Sequence, residues 1–158
     1  MSTINYIKGD ATCPQGKGNK IICHICNDVG GWGKGFVLAV SKKWKQPEAE
    51  YRDWHSQGAQ GGFEQGAVQF VQVEKDIWVA NMIGQRGMKR GSSGPPIRYE
   101  AVSQCLDRVA EKASELGASV HMPRIGCGLA GGSWSKIEPI LEGCLTSKGI
   151  SVTVYDLK

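Results

Sequence analysis

The sequence predicts an α/β fold, a three-layer α/β/α sandwich around a central mixed sheet. Three observations carry this expectation. Short β-branched segments alternate with segments of helical periodicity, which places helices between strands and on both faces of a sheet. A short connection in mid-chain turns one strand pair into a hairpin, so the sheet is mixed rather than purely parallel. Two glycine-rich stretches each follow a strand and each open a helix.

In chain order, Ile4 to Lys8 reads as a first strand, ended by Gly9-Asp10. Lys20 to Cys26 is a second, with β-branched Ile21, Ile22 and Ile25. Gly30, Gly31, Gly33 and Gly35 follow, and Phe36, Val37, Leu38, Val40 and Trp44 then recur at helical spacing. Pro47 to His55 reads as more helix, and the proline suits the first turn of a separate one. Gln57 to Gly66 is a turn-rich connection. Val68 to Val73 and Ile77 to Met82 are strands joined by Glu74-Lys75-Asp76. Gly84 to Pro96 reads as a long loop carrying Arg86, Lys89 and Arg90. Pro96 to Leu116 is a helix with Tyr99, Val102, Leu106, Val109 and Ala113 on one face, ended by Gly117. Ala118 to Met122 is a strand stopped by Pro123, and Ile125 to Gly132 is the second glycine loop. Trp134 to Leu145 is a helix in which Pro139 marks a kink or restart. Ser151 to Tyr155 is the last strand. No repeat or linker interrupts the chain, so residues 1–158 read as one domain.

Composition narrows the function classes. A chain of 158 residues buries a full core without staples. No apolar run reaches the roughly 18 residues of a membrane span, so no membrane partner is expected. Met1 to Lys8 lacks a basic stretch followed by an apolar one, which points to the cytoplasm. The net charge of +4 suits an anionic ligand, but the basic residues are scattered rather than gathered in the stripe of a nucleic-acid binder. Of the six cysteines, Cys23 and Cys26 form a lone C-x-x-C. It lies in a strand whose alternation puts the two thiols on opposite faces, so both read as reduced core residues. With three histidines and no second ligand pair, no metal and no cofactor are expected.

The glycine loops are where the chemistry lies. Free backbone N–H groups, a helix dipole and missing side chains together hold phosphates. Two such loops in one small domain suggest a diphosphate held from both sides. No G-x-x-x-x-G-K-[ST] is present, and Gly30, Gly33 and Gly35 do not keep the spacing of a dinucleotide fingerprint.

Gly9-Asp10-Ala11-Thr12, then His24-Ile25-Cys26-Asn27, then Gly33-Lys34-Gly35-Phe36, and finally Pro123-Arg124-Ile125-Gly126-Cys127-Gly128-Leu129 occur in macrodomain order. Over essentially its whole length the chain resembles the macrodomain family. It is most similar to the branch holding a terminal ADP-ribose glycohydrolase, a chromatin-remodeller macrodomain and a yeast-type ADP-ribose phosphatase, and within it to bacterial, actinobacterial-type members. The resemblance implies an ADP-ribose ligand. It implies that Asp10 accepts from the adenine amino group beside Ala11, a task suited to an acceptor-only carboxylate. It implies that Gly33, Lys34, Gly35 and Phe36 wrap the diphosphate and that Asn27 bonds the distal ribose. Ile125, Gly126, Cys127, Gly128, Leu129 and Ala130 would enclose the other side, with Tyr155 edging the adenine pocket. Asp10 as a turn residue, Phe36 and Tyr155 as core aromatics, and His24 as a satisfied core histidine are the plainer alternatives.

Two positions depart from the glycohydrolase pattern. Gln85 stands where its lysine would be, and Ala130 where its aspartate would be. A covalent lysine route is therefore not expected. The resemblance instead implies metal-independent hydrolysis of ADP-ribosyl esters on Glu or Asp side chains. Asn27 would orient the ribose, Gln85 or His24 would position water or the leaving group, and Gly128 would allow close backbone approach. The alternatives are removal of a phosphate from the distal ribose and a reader that binds ADP-ribose without turnover. Mono-ADP-ribosylated proteins are the expected partners, and ADP-ribosylated nucleic acid is an admissible one.

Overall fold

The computed structural model describes residues 3–88, 94–128 and 130–157. Lys89, Arg90 and Leu129 lie outside them. Six strands form one sheet: β1 (Ile4–Lys8), β2 (Lys20–Asn27), β3 (Val68–Glu74), β4 (Ile77–Gln85), β5 (Ser119–Met122) and β6 (Val152–Asp156), in the order β1-β6-β5-β2-β4-β3. All neighbours are parallel except the β3–β4 hairpin. The sheet is mixed, as the hairpin predicts.

Helices α1 (Phe36–Lys43) and α2 (Gln46–Gln57) cover one face, and α3 (Tyr99–Leu116) and α4 (Trp134–Cys144) the other. Alternation along β2 divides its side chains between the two cores. Ile21 and Cys23 pack with Val102, Leu106, Val109, Ile137 and Leu141. Ile22 and Cys26 pack with Trp32, Val40, Trp44, Tyr51 and Trp54. The two thiols thus face opposite ways, both reduced and buried, and burial raises both their pKa values.

Several boundaries differ from the sequence expectation, most by a residue or two. Strand β4 runs on to Gln85, because Gly84 is a packing residue there. A Cβ on it would stand 2.9 Å from Val102 Cγ2 and 3.3 Å from Ile25 Cγ2, so the strand needs glycine to pass beneath α3. Helix α3 begins at Tyr99 rather than Pro96, since Ile97 forms a bridge with Gln85 and Arg98 is extended. Trp44 caps α1 in an extended conformation and is not part of it. Pro139 does not break α4, which continues to Cys144.

The parallel strands all point one way, so their C-terminal ends lie along one edge. The connection after β2 leads to α1 on one face, while β5 is reached through α3 on the other. The gap between β2 and β5 is thus a topological switch point, the usual position of a ligand crevice in an open α/β sheet.

Candidate functional site

The residues singled out in the sequence lie just past these strand ends. Asp10 follows β1, the 28–35 glycine segment follows β2, Gln85 ends β4, and Pro123 to Ala130 follow β5. Asp10, Lys34, Gly35, Gln85 and most of the 123–130 segment line two cavities, while Gly33 and Cys127 border neither. A larger one of about 800 Å³ is walled by Gly9, Asp10, Ala11, Thr12, Lys43 and Tyr155, among others. A smaller one of about 300 Å³ is walled by Lys34, Val37, Gln85, Arg124, Ile125, Gly126, Gly128 and Ala130, among others. Gly35, Phe36 and Pro123 border both, so the two adjoin along one cleft edge, with a waist at the N-terminus of α1.

At the larger end, Asp10 sits in a tight turn. Its Oδ1 accepts from the Thr12 N–H at 2.8 Å and from the Thr12 hydroxyl at 2.7 Å. These two bonds, the hydroxyl first, hold the carboxyl below its ordinary pKa and keep it ionised at neutral pH. Lys43, from the last turn of α1, fixes the same loop by donating to Thr12 O at 2.5 Å. Tyr155 is buried and forms one wall.

The waist has the backbone geometry that favours an anion. Gly35 is the N-cap of α1 at φ 81° and ψ −140°, a conformation open only to glycine, and no side chain caps the helix. The Phe36 and Val37 N–H groups precede the first intrahelical bond, which the Leu38 N–H makes to Gly35 O at 3.1 Å, and the dipole adds positive potential. Across the cleft, the N–H groups of Ile125, Cys127, Gly131 and Gly132 bond within the second glycine loop. Those of Gly126 and Gly128 take no part in those bonds. Gly126 has φ 73°, and a Cβ on it would collide with Ile97 Cδ1.

Two predicted residues are engaged inward, although His24 borders the smaller cavity. The ring of His24 is buried beneath Phe36 and Trp32. Asn81 Nδ2 donates to Pro47 O, so Asn81 Oδ1 faces His24, whose Nε2–H must donate to it at 2.6 Å. Burial drops this imidazole to about 4, partly offset by the Asn81 bond. His24 is neutral at pH 7, and its Nε2 proton is engaged in the core. Asn27 shapes the glycine segment instead of facing the cleft. Its Oδ1 accepts from the N–H groups of Val29 and Gly31, each at 3.0 Å, and lies 2.9 Å from the Tyr51 hydroxyl, while its Nδ2 donates to Gly31 O at 2.7 Å.

Gln85 does line the smaller cavity. Its Nε2 donates to Gly87 O at 2.8 Å, and its Oε1 has no partner among the described residues. Asp28 steadies this end by accepting from the Gly87 N–H at 2.8 Å and from Gln65 Nε2 at 3.0 Å. Arg124 was visible in the sequence motif without a role. Its guanidinium pairs with both oxygens of Asp156 at 2.9 Å and lies 4.9 and 5.0 Å from the Tyr6 and Trp134 rings. Among the described residues, no carboxylate lines the smaller cavity, and no three His, Cys, Asp or Glu side chains converge as metal ligands.

A Streptomyces coelicolor macrodomain protein of known structure is 62% identical, with 97% of this chain and 98% of that one covered and a TM-score of 0.87. This chain belongs to the macrodomain family. A second structure at 62% identity, from Bacteroides thetaiotaomicron, covers 98% of both chains at a TM-score of 0.94. No family model matches. Among curated relatives, the macrodomain is 29% identical to the Danio rerio chromodomain-helicase-DNA-binding protein 1-like over 98% of its length. It spans only 16% of that protein and 18% of the mouse counterpart. It is 27% identical to a Candida glabrata ADP-ribose 1''-phosphate phosphatase, with 99% of this chain and 100% of that one covered. It is 26% identical to the Bos taurus ADP-ribose glycohydrolase OARD1, with 99% and 93% covered. No helix among the described residues is long and apolar enough to cross a membrane.

Proposed function

We propose that this macrodomain binds ADP-ribose along the cleft and hydrolyses ADP-ribosyl esters of Glu and Asp side chains. The adenosine lies at the Asp10 end, the diphosphate at the waist, and the distal ribose toward Gln85. One observation supports this above the others. The two cavities adjoin at the N-terminus of α1, with an ionised carboxylate at one end and a neutral amide at the other. From β1 to β4 the cleft crosses four strand spacings, roughly 19 Å, room for a dinucleotide-sized ligand. Relatives named for ADP-ribose chemistry agree with this ligand.

The chemistry follows from what is and is not at the Gln85 end. A carboxylate leaves readily from an anomeric carbon, so positioning contributes most of the catalysis. Gln85 Oε1 accepts a hydrogen bond from a water and aims its oxygen at that carbon. The water oxygen bonds to the carbon, the ester C–O bond breaks, and the departing carboxylate relays the water proton to solvent. Gln85 itself cannot take the proton at neutral pH. Arginine-linked ADP-ribose, with its poor leaving group, is not expected to react. The test is release of ADP-ribose from glutamate-modified and arginine-modified protein side by side, with ADP-ribosylated DNA as a third substrate. Release from glutamate but not arginine is the expected result, and equal release from both, or release from arginine alone, would overturn the assignment.

A reader that binds without turnover is the second reading. It is favoured by His24, whose proton is engaged with Asn81 rather than offered to the cleft. Tight ADP-ribose binding with no release from any of the three substrates selects it.

A further inference from the structure

The loop between β1 and β2, residues 9–19, forms the outer wall of the larger cavity through Asp10 to Cys13. It is fastened from beneath by a chain of buried polar groups. The Gln15 N–H donates to the Tyr155 hydroxyl at 2.9 Å. That hydroxyl lies 2.7 Å from His121 Nδ1, and His121 Nε2 lies 2.7 Å from Ser119 Oγ. Ser119 Oγ and its own N–H both reach Asn19 O, at 3.5 and 3.0 Å. One arrangement of hydrogens uses every group. Tyr155 O–H donates to Nδ1, Nε2–H donates to Ser119, and Ser119 O–H points to Asn19. The opposite tautomer leaves the Tyr155 hydroxyl hydrogen with no acceptor, a costly state for a buried group. His121 is 2% exposed, and a histidine in the middle of a core strand is otherwise unexplained.

We propose that His121 is the positioning residue of the adenosine end, holding the loop at Gln15 and Asn19 so that Asp10 and Tyr155 stand ready for the base. It touches no ligand and acts through Tyr155. The inference rests on the ADP-ribose reading of the cleft for its ligand, but not for the loop tether. Without the Nδ1 acceptor, the Tyr155 hydroxyl turns to find another partner and the Gln15 tether is lost. The cost falls on the adenosine half of the ligand, because the tether runs from His121 through Tyr155 to Gln15, away from the N-terminus of α1 and from Gln85 at the end of β4.

His121→Phe keeps the volume and removes both bonds, while His121→Asn places an Oδ1 acceptor near the position of Nδ1. Binding of ADP-ribose, AMP and ribose 5-phosphate, with amide hydrogen exchange at Gln15, reads the effect. His121→Phe should weaken ADP-ribose and AMP by about tenfold, the scale of one hydrogen bond, and leave ribose 5-phosphate unchanged. Gln15 exchange should accelerate in the same variant. His121→Asn should recover most of the affinity, and Tyr155→Phe should add little to His121→Phe, since the two act as a unit. A folded His121→Phe protein with native Gln15 exchange and unchanged AMP affinity overturns the proposal, as does equal loss for ribose 5-phosphate. If the wild-type protein binds no ADP-ribose, the reading of the cleft fails. Gln15 exchange still decides whether His121 holds the loop.

Discussion

Asp10→Asn separates the two tasks of this side chain. In the wild type, both bonds from Thr12 fall on Oδ1, so Oδ2 is the oxygen available to a base. Thr12 has two donors and no reason to release Oδ1 in the variant, so the turn survives and the new NH2 group takes the place of Oδ2. An acceptor facing the adenine amino group becomes a donor facing a donor. The lost interaction is a charge-assisted hydrogen bond, worth about 1.5–3 kcal/mol, or roughly 10- to 150-fold in Kd. The turn is intact, so the melting temperature should move little. Asp10→Ala should lose at least as much affinity, because it also releases the Thr12 N–H. The same geometry predicts an exchange of preference. Hypoxanthine presents an acceptor where adenine presents its amino group, so Asp10→Asn should bind the hypoxanthine analogue of ADP-ribose better than the wild type does. Calorimetry with both ligands on all three proteins is the assay. An Asn variant with wild-type affinity for ADP-ribose and an unchanged ratio between the two bases would refute the placement of the adenine.

Gln85→Ala should slow ester cleavage by roughly ten- to a hundredfold with ADP-ribose affinity nearly unchanged, a loss of water positioning seen in single-turnover rates. Gly35→Ala and Gly35→Glu both force a side chain into a glycine-only conformation and should each lose about 1–3 kcal/mol of stability in urea melts. Only the glutamate should abolish ADP-ribose binding, so equal affinities for the two variants would misplace the diphosphate. Burial holds His24 and His121 at about 4, below the unfolded value near 6.5. The unfolded chain therefore takes up protons first, and the stability these groups confer is complete above about pH 6.5 and lost as pH falls toward 4. Urea midpoints should show a loss of roughly 2–3 kcal/mol per histidine by about pH 4.5, and a flat profile would contradict their burial as neutral groups. Activity should survive EDTA, because no ligand set gathers among the described residues.

The sequence shows the elements clearly and the destinations of side chains poorly. β-Branched runs and helical spacing give the strands and helices, and glycines after β2 and β5 give the cleft, because backbone geometry is a local property. Gly84 read as the start of a loop, since the reason for it, Val102 of α3, lies eighteen positions away. His24 and Asn27 were legible as site-adjacent residues, but their orientation is settled by Asn81 and Tyr51, on other elements. Nothing in the local pattern around either residue announces those partners. His121 did leave a signal, a polar residue at an inward position of an apolar strand. Such a residue needs a buried partner, and alternation alone indicates that one exists without naming Tyr155.

The pairing of β1 with β6 has a consequence for how the ligand and the chain ends influence each other. β1 is an edge strand, joined to the sheet through β6 alone, and Gly9 reaches Asp156 O directly. Asp10 stands one residue beyond that last bond. Whenever the outer strand frays, an ordinary low-cost opening for an edge, the Asp10 carboxylate departs with it while the N-terminus of α1 stays in place. A bound nucleotide that grips Asp10 therefore acts as a clasp on the chain's first strand. On the proposed reading of the cleft, binding and edge docking share one free energy, each raising the other, and the grip on the ligand should weaken with warming before the rest of the sheet begins to open.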